Sequence, residues 1–242
     1  MRRVVGIAIA SGVLLAGATV PASAADRSSQ EVGKAYSILM TPAEARSLAG
    51  GTKLMRVFAV ASAIGAKPDT PWLCDLTGEE EVEGKGGEET VSSEYRSQRG
   101  QAVGDASQEI HVFRTAKQAK AAYDDIVRKI KQCEGSQQPA ADDGGSIAEG
   151  NEPGGLTTML TNGSKKAADG DPFLWVRSTT SIAGVDGFES YEYSTVRHFG
   201  RYLQILQVQS EGTGAPALTA KQIRTADRLT DSLGDRWRSN FS

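Results

Sequence analysis

Cysteine and histidine are scarce in this chain of 242 residues, which holds two of each: Cys74 and Cys133, His111 and His198. A zinc site needs more thiol or imidazole ligands at close spacing. A catalytic thiol needs a poised base, and none is visible beside either cysteine. Surplus basic charge is also missing. Lys and Arg number 27 against 30 Asp and Glu, for a formal charge of −3. Nucleic acid and anionic lipid need a basic footprint, so neither is expected as a partner. Beyond the N-terminus no apolar run is long enough to span a membrane. There is no phosphate loop and no dinucleotide fingerprint. The nearest glycine-flanked serine, "GGSIA", does not match G-x-S-x-G. No repeat of fixed period is present. No metal or cofactor is expected.

The N-terminus reads MRRVVGIAIASGVLLAGATVPASAAD. Arg2 and Arg3 give a basic start, Val4 to Val20 is apolar, and Ala22-Ser23-Ala24 sets small residues where a signal peptidase reads. Residues 1–24 are therefore expected to be a cleaved secretory signal, and the absence of a cysteine here excludes a lipobox. Cleavage would leave about 218 residues at a charge of about −5, enough for one sizeable core. Outside the cell, two cysteines most simply make one disulfide. Closing a loop of about 60 residues is worth roughly 4 kcal/mol in the chain-entropy model. Free thiols and intermolecular pairing stay open as alternatives.

Residues 25–33 are polar and are expected as a flexible lead-in to a domain spanning 34–242. Thr41, Pro42 and Glu44 predict a capped helix that stops at Gly50-Gly51. "KLMRVFAVASAIG" is ambiguous between strand and helix, and partial helix or loop is favoured. The tract 78–89 is acidic and glycine-rich, without EF-hand spacing, and is expected as a solvated loop. "TVSSEYRSQRG" and "ASQEIHVFR" predict paired strands, the first near an edge or in a wet cleft. Ala116, Ala119, Tyr123, Ile126, Ile130 and Cys133 share one face of a helix capped by Thr115 and Gln118. Cys133 at its C-terminal end is disfavoured as a thiolate by the helix dipole. Residues 134–155 read as a long loop. "GLTTMLTNG" and "PFLWVRSTTSIAG" predict strands. "FESYEYSTVRHFGRYLQILQVQSEG" predicts two more around a turn at Gly200. The last of these is apolar on both sides over part of its length, so a central place is expected, with helices covering one side. A closing helix starts at Thr219. The fold class is α+β: a single domain with a mainly antiparallel sheet packed with helices.

Several of these segments together resemble a known family. "ILMTPAEARSLAG", then a cysteine, then "QEIHVFRTAKQAKAAYDDIVRKIKQCEG", then "YSTVRHFGRYLQILQVQSEG" and a closing helix are similar to the PknH-like extracellular sensor domain. That family occurs in actinobacteria, outside receptor serine/threonine kinases and as free secreted proteins or lipoproteins. The likeness covers nearly all of 34–242. Its most specific part is F-x-T/S-A-x-x-A, running to a cysteine at the helix end. The resemblance implies an α+β domain with a cleft that serves as the ligand site. Family members with four cysteines form two disulfides, whereas this chain keeps counterparts of two, Cys74 and Cys133. Where the family commonly has tryptophan, this chain has Ile130. No kinase segment is present.

Three functions follow as expectations. The first is a secreted, non-enzymatic binding protein that captures a small molecule or an envelope component in a cleft of apolar walls and few polar anchors. Arg177, Tyr191, Tyr193 and Arg197, all on strand candidates, are its candidate ligand contacts. The second is a protein-interaction or inhibitor module using the acidic 78–89 tract. The third is a hydrolase built on His111 and Glu109, although a half-exposed strand histidine is the commoner explanation. His198, beside a turn, is expected to be solvated. Trp72, Trp175 and Trp237 are expected in packing roles, although each could stack on a sugar. Glu189 and Glu192 lie on the same strand as Tyr191 and Tyr193, where packing is favoured over a cleft.

Overall fold

A computed structural model describes residues 24–50, 54–61, 89–99, 102–132, 138–139, 156–182 and 186–241. Cys74, Cys133, Trp72, the expected signal up to residue 23 and most of the acidic tract lie outside them. The elements run α1 (Ala24–Ser37), α2 (Pro42–Ala49), β1 (Leu54–Ala61), β2 (Glu89–Arg99), β3 (Ala102–Val112) and α3 (Ala116–Gln132). They continue β4 (Gln138–Pro139), β5 (Leu156–Lys166), β6 (Pro172–Ile182), β7 (Phe188–Phe199), β8 (Tyr202–Thr213), α4 (Ala220–Asp231) and α5 (Leu233–Phe241). The strands form one antiparallel sheet in the order β1-β2-β3-β8-β7-β6-β5-β4. Strand β8 is central, bonded to β3 and β7, as its two-sided apolar pattern predicts. Gly200, with φ 54°, makes the turn into it.

Alternation along the strands divides the side chains between two faces. One face is covered by α1, α2, α4 and α5. On it Tyr95, Ala106, Leu206, Val208 and Tyr193 pack with Leu48 and Leu229 of the helices. Val91, Ile110 and Tyr202 meet Val32, Ile38 and Leu233. The opposite face receives α3, against β7 and β8. Ala119, Tyr123, Ile126 and Ile130 form the stripe expected from their spacing and pack on Leu174, Val176, Val196, Leu203 and Ile205, while Ala116, expected at its start, is exposed in the first turn. Burying each large side chain of that stripe is worth roughly 1.5–3 kcal/mol. Helices therefore lie on both faces, not on one. Beyond α3 its face is polar.

Three further expectations change. The polar segment 25–33 belongs to helix α1, not to a flexible lead-in. Val32, Ala35 and Ile38 recur at spacing three and bury against the sheet, while Glu31 accepts from the Tyr202 hydroxyl at 2.5 Å. Residues 54–61 form strand β1, not helix or loop, and pair with β2 across a bulge near Arg56. This run is too short for a core helix and its Val and Phe suit a pleated surface. The closing helix is two helices that meet at Ser232. The expected caps hold: Thr41 with Glu44 and Thr115 with Gln118 each make both bonds of the capping box, and Thr219, the expected start of the closing helix, makes the same pair with Gln222.

Candidate functional site

The four residues expected to meet a ligand lie on β6 and β7, on the face that carries α4. Arg177 pairs with Tyr193 in register, and Tyr191 is two residues along the same strand face. Arg177 is exposed and Tyr191 partly buried, its hydroxyl on Glu189. That bond raises the Tyr191 pKa. Tyr193 is buried and donates to Asp227 at 2.6 Å, which also holds Lys165 at 2.6 Å. Burial, then Asp227, pushes the Tyr193 hydroxyl well above its ordinary range. Trp175 stacks on Tyr193 with ring centroids 6.3 Å apart. Gly163 makes room for that indole, since a Cβ there would sit 2.8 Å from it. Arg197 is apart from the other three. It is fully buried, donates to the carbonyls of Thr230 at 2.8 Å and Asp231 at 2.5 Å, and pairs with Asp169. A cation at the end of α4 meets the negative end of the helix dipole.

A cleft of about 340 Å³ opens elsewhere on the same sheet face, between α2, α4 and the far ends of β2, β3 and β8. Its floor is a cross-strand row of small residues, Ser97, Gly104 and Ser210. Gly104 cannot take a Cβ without striking the Ala49 carbonyl, and the Ser97 hydroxyl donates to that carbonyl at 3.0 Å. Gln222 fixes one wall: its amide donates to the Leu48 carbonyl at 2.6 Å and its oxygen accepts from the Thr219 N–H at 2.9 Å. Among the described residues Arg46 and Lys221, both exposed, line the cleft without an ion pair, and no acidic side chain lines it. Such a lining attracts an anionic group. The sequence gives this cleft little signal, because its walls come from three distant segments.

The polar side of the sheet carries a second unusual group. Ser178 of β6, Glu192 of β7 and Gln209 of β8 are neighbours in register, with Ser190 and Ser194 alongside. Glu192 is 2% exposed. Burial pushes its carboxyl up to about 7, against the opposing pull of the Ser194 hydrogen bond and of the nearby Gln207 side chain. The alternation Ser190, Glu192, Ser194 opposite Tyr191 and Tyr193 is the sequence signal for it, on a strand whose neighbour carries Gln207 and Gln209.

His111 and Glu109 are brought together at 3.2 Å on this face. His111 is 1% exposed, not half-exposed, and its Nδ1 meets the Thr90 hydroxyl at 2.9 Å. Both ring nitrogens are thus engaged. His198 is half-buried, not solvated, with Tyr123 edge-on at 5.1 Å between centroids, and burial lowers its pKa. Trp237 packs with Phe199 and Tyr202. Among the described residues no group of three His, Cys, Asp or Glu is placed to hold a metal ion, and no helix is long and apolar enough to cross a membrane.

Comparison with known proteins follows the same architecture. A solved structure, the extracellular domain of PknH from Mycobacterium tuberculosis, superposes with a TM-score of 0.53 at 15% identity. The match covers 84% of this chain and 94% of that one, and shows the shared fold. No curated protein matches. The family profile of the PknH-like extracellular domain matches residues 31–174, more than half of the chain, and the chain belongs to that family.

Proposed function

We propose that this protein is a secreted, non-enzymatic binding domain of the sensor type, which captures a small molecule or envelope component in the cleft between α2, α4 and the ends of β2, β3 and β8. The cleft itself carries this reading. Its volume of about 340 Å³ is that of a small-ligand site. It is preformed, since Gln222 and Ser97 hold its walls by hydrogen bonds. Apolar surface from Ala102, Val103 and Pro216 is joined by hydroxyls and by Arg46 and Lys221 at the mouth. The fitting ligand is small, partly apolar and anionic. Arg177 and Tyr191 offer a separate contact surface for a larger envelope component, while Tyr193 and Arg197 act through the helix they hold. The reading includes cleavage of the signal after Ala24 and a Cys74–Cys133 disulfide.

Native mass spectrometry of the protein from its own culture medium tests this. The expected result is a chain starting at residue 25, two hydrogens lighter than its reduced form, carrying an adduct that leaves on gentle activation. Ala217→Trp, which fills the cleft, is expected to remove the adduct. A bare wild-type chain that stays bare after exposure to host envelope extract would sink the reading.

A further inference from the structure

The polar face of the sheet supports a second site, independent of the cleft. Glu192 sits at its middle. The Ser194 hydroxyl donates to Oε1 at 2.6 Å, and Oε2, buried, has no hydrogen-bond partner among the described residues. A buried acceptor left without a donor costs about 1–3 kcal/mol, more when it is charged. The described strand neighbours offer no cation. Ser178, Ser190, Ser194, Gln207 and Gln209 are neutral. The other described acids on the face, Glu94, Asp105, Glu109 and Glu211, have the same sign as Glu192, and Glu109 meets His111. Arg96, also on this face, is taken by Glu94 and Asp105. Gln207, Gln209 and Glu211 are partly exposed, so the face reaches solvent beside Glu192.

The face thus combines surplus negative charge with a dense set of hydroxyl and amide groups. A bare cation answers only the charge, and a neutral sugar answers only the hydroxyls. We propose that this face binds a small polyhydroxylated amine, whose ammonium donates to Glu192 Oε2 and whose hydroxyls exchange hydrogen bonds with Ser178, Ser190 and Gln209. Charge-assisted bonds of this kind are the strong ones, and serine and glutamine serve equally as donor and acceptor.

The test is a saturation-transfer NMR titration of the whole chain near pH ~8, where a carboxyl of this kind is ionised, with glucamine and with sorbitol, its neutral counterpart. Glucamine is expected to bind about tenfold more tightly, a difference of one charge-assisted bond. Glu192→Gln is expected to erase that preference and leave sorbitol binding and the circular dichroism unchanged. Ser178→Val keeps the carboxyl and is expected to weaken glucamine several-fold, so the proposal stays testable if the first variant does not fold. Equal binding of the two polyols, no glucamine binding at any soluble concentration, or a preference that survives Glu192→Gln would each overturn it. Loss of the cleft by Ala217→Trp is expected to leave the titration unaltered, which separates this site from the one proposed above.

Discussion

Strand β7 buries two charged side chains five residues apart, one on each face of the sheet, and it treats them differently. Arg197 points to the helices and finds two carbonyls of α4 and the carboxylate of Asp169, with only its Nε left without a partner among the described residues. Glu192 points to the other side and among the described residues finds neutral groups and no opposite charge, with Oε2 unpartnered. A buried charge that is paired holds structure together, while one that is not paired costs stability and is kept for another reason. The helix-covered face is thus built for cohesion. The polar face gives up stability at one point, as ligand sites commonly do. The same backbone supports both because alternation sends neighbouring residues to opposite environments.

The largest effect is expected at Arg197. Arg197→Met keeps much of the volume but strips the last carbonyls of α4 and Asp169 of their partner. A loss of about 3–5 kcal/mol is expected, as for other broken buried pairs. It would be read as a lower urea midpoint at unchanged slope. A loss below ~1 kcal/mol, the range of an exposed ion pair, would dissolve the contrast between the faces.

Glu192→Gln should act in the opposite direction. The folded-state carboxyl is raised from 4.5 to about 7, so the native chain binds this proton more tightly than the unfolded chain does. The stability from that proton is complete below the unfolded value. It falls as pH rises through the window between the two, and is flat above it. The substitution removes this slope. It should stabilise the chain by about 3 kcal/mol near pH 8 and by almost nothing near pH 4. The groups facing Glu192 from β6 and β8 are neutral, and the rise comes from burial, against the bond from Ser194 and the nearby Gln207. Denaturant melts at the two pH values check it; an equal change at both would show that Glu192 is not held protonated.

A smaller change is expected at Tyr193. Tyr193→Phe removes the bond to Asp227 but leaves Asp227 with Lys165 and leaves the Trp175 stack in place. About 1 kcal/mol should be lost, the usual net worth of one hydrogen bond. A loss several times larger would make the Tyr193 hydroxyl, not Arg197, the main tie between β7 and α4.

What the sequence made legible was local. The boxes Thr41-Glu44 and Thr115-Gln118, the Gly200 turn and the α3 stripe from Ala119 to Ile130 each depend on residues within a few positions, and each is where the spacing predicts. The central place of β8 was legible because burial on both faces leaves no polar alternation. Strand β1 was not, since a short apolar run has no period that separates strand from helix. The break at Ser232 was not either, because the apolar spacing runs through it. The sites were hidden for a different reason. The cleft joins residues near 46–50, 97–104 and 210–222, and the Glu192 neighbourhood exists only once register sets Ser178 and Gln209 beside it. Arg177, Tyr191 and Tyr193 were brought together because strand alternation is local, while Arg197 was separated by a helix terminus that alternation does not see.

The smallest effect, that of Gln222→Glu, sharpens the comparison most, because it asks whether the helix-covered face is stapled or merely packed. Gln222 spans α4 and α2. Its oxygen completes the α4 capping box, and its amide nitrogen satisfies the Leu48 carbonyl near the end of α2. Gln222→Glu keeps the acceptor and loses the donor, so the box survives and only the bridge is broken. Gln222→Ala loses both. If bridge and cap contribute separately, alanine should cost about 1–2 kcal/mol and glutamate roughly half of that, with the carboxylate gaining from the helix N-terminus. Amide exchange at Gly50 should quicken in both variants, because its N–H bonds Arg46 in the turn that the bridge holds down. The polar-face amides of β6 and β7 should be untouched. Faster exchange on both faces would mean that the two are one cooperative unit, and that the cohesion of the helix face is what lets Glu192 stay buried.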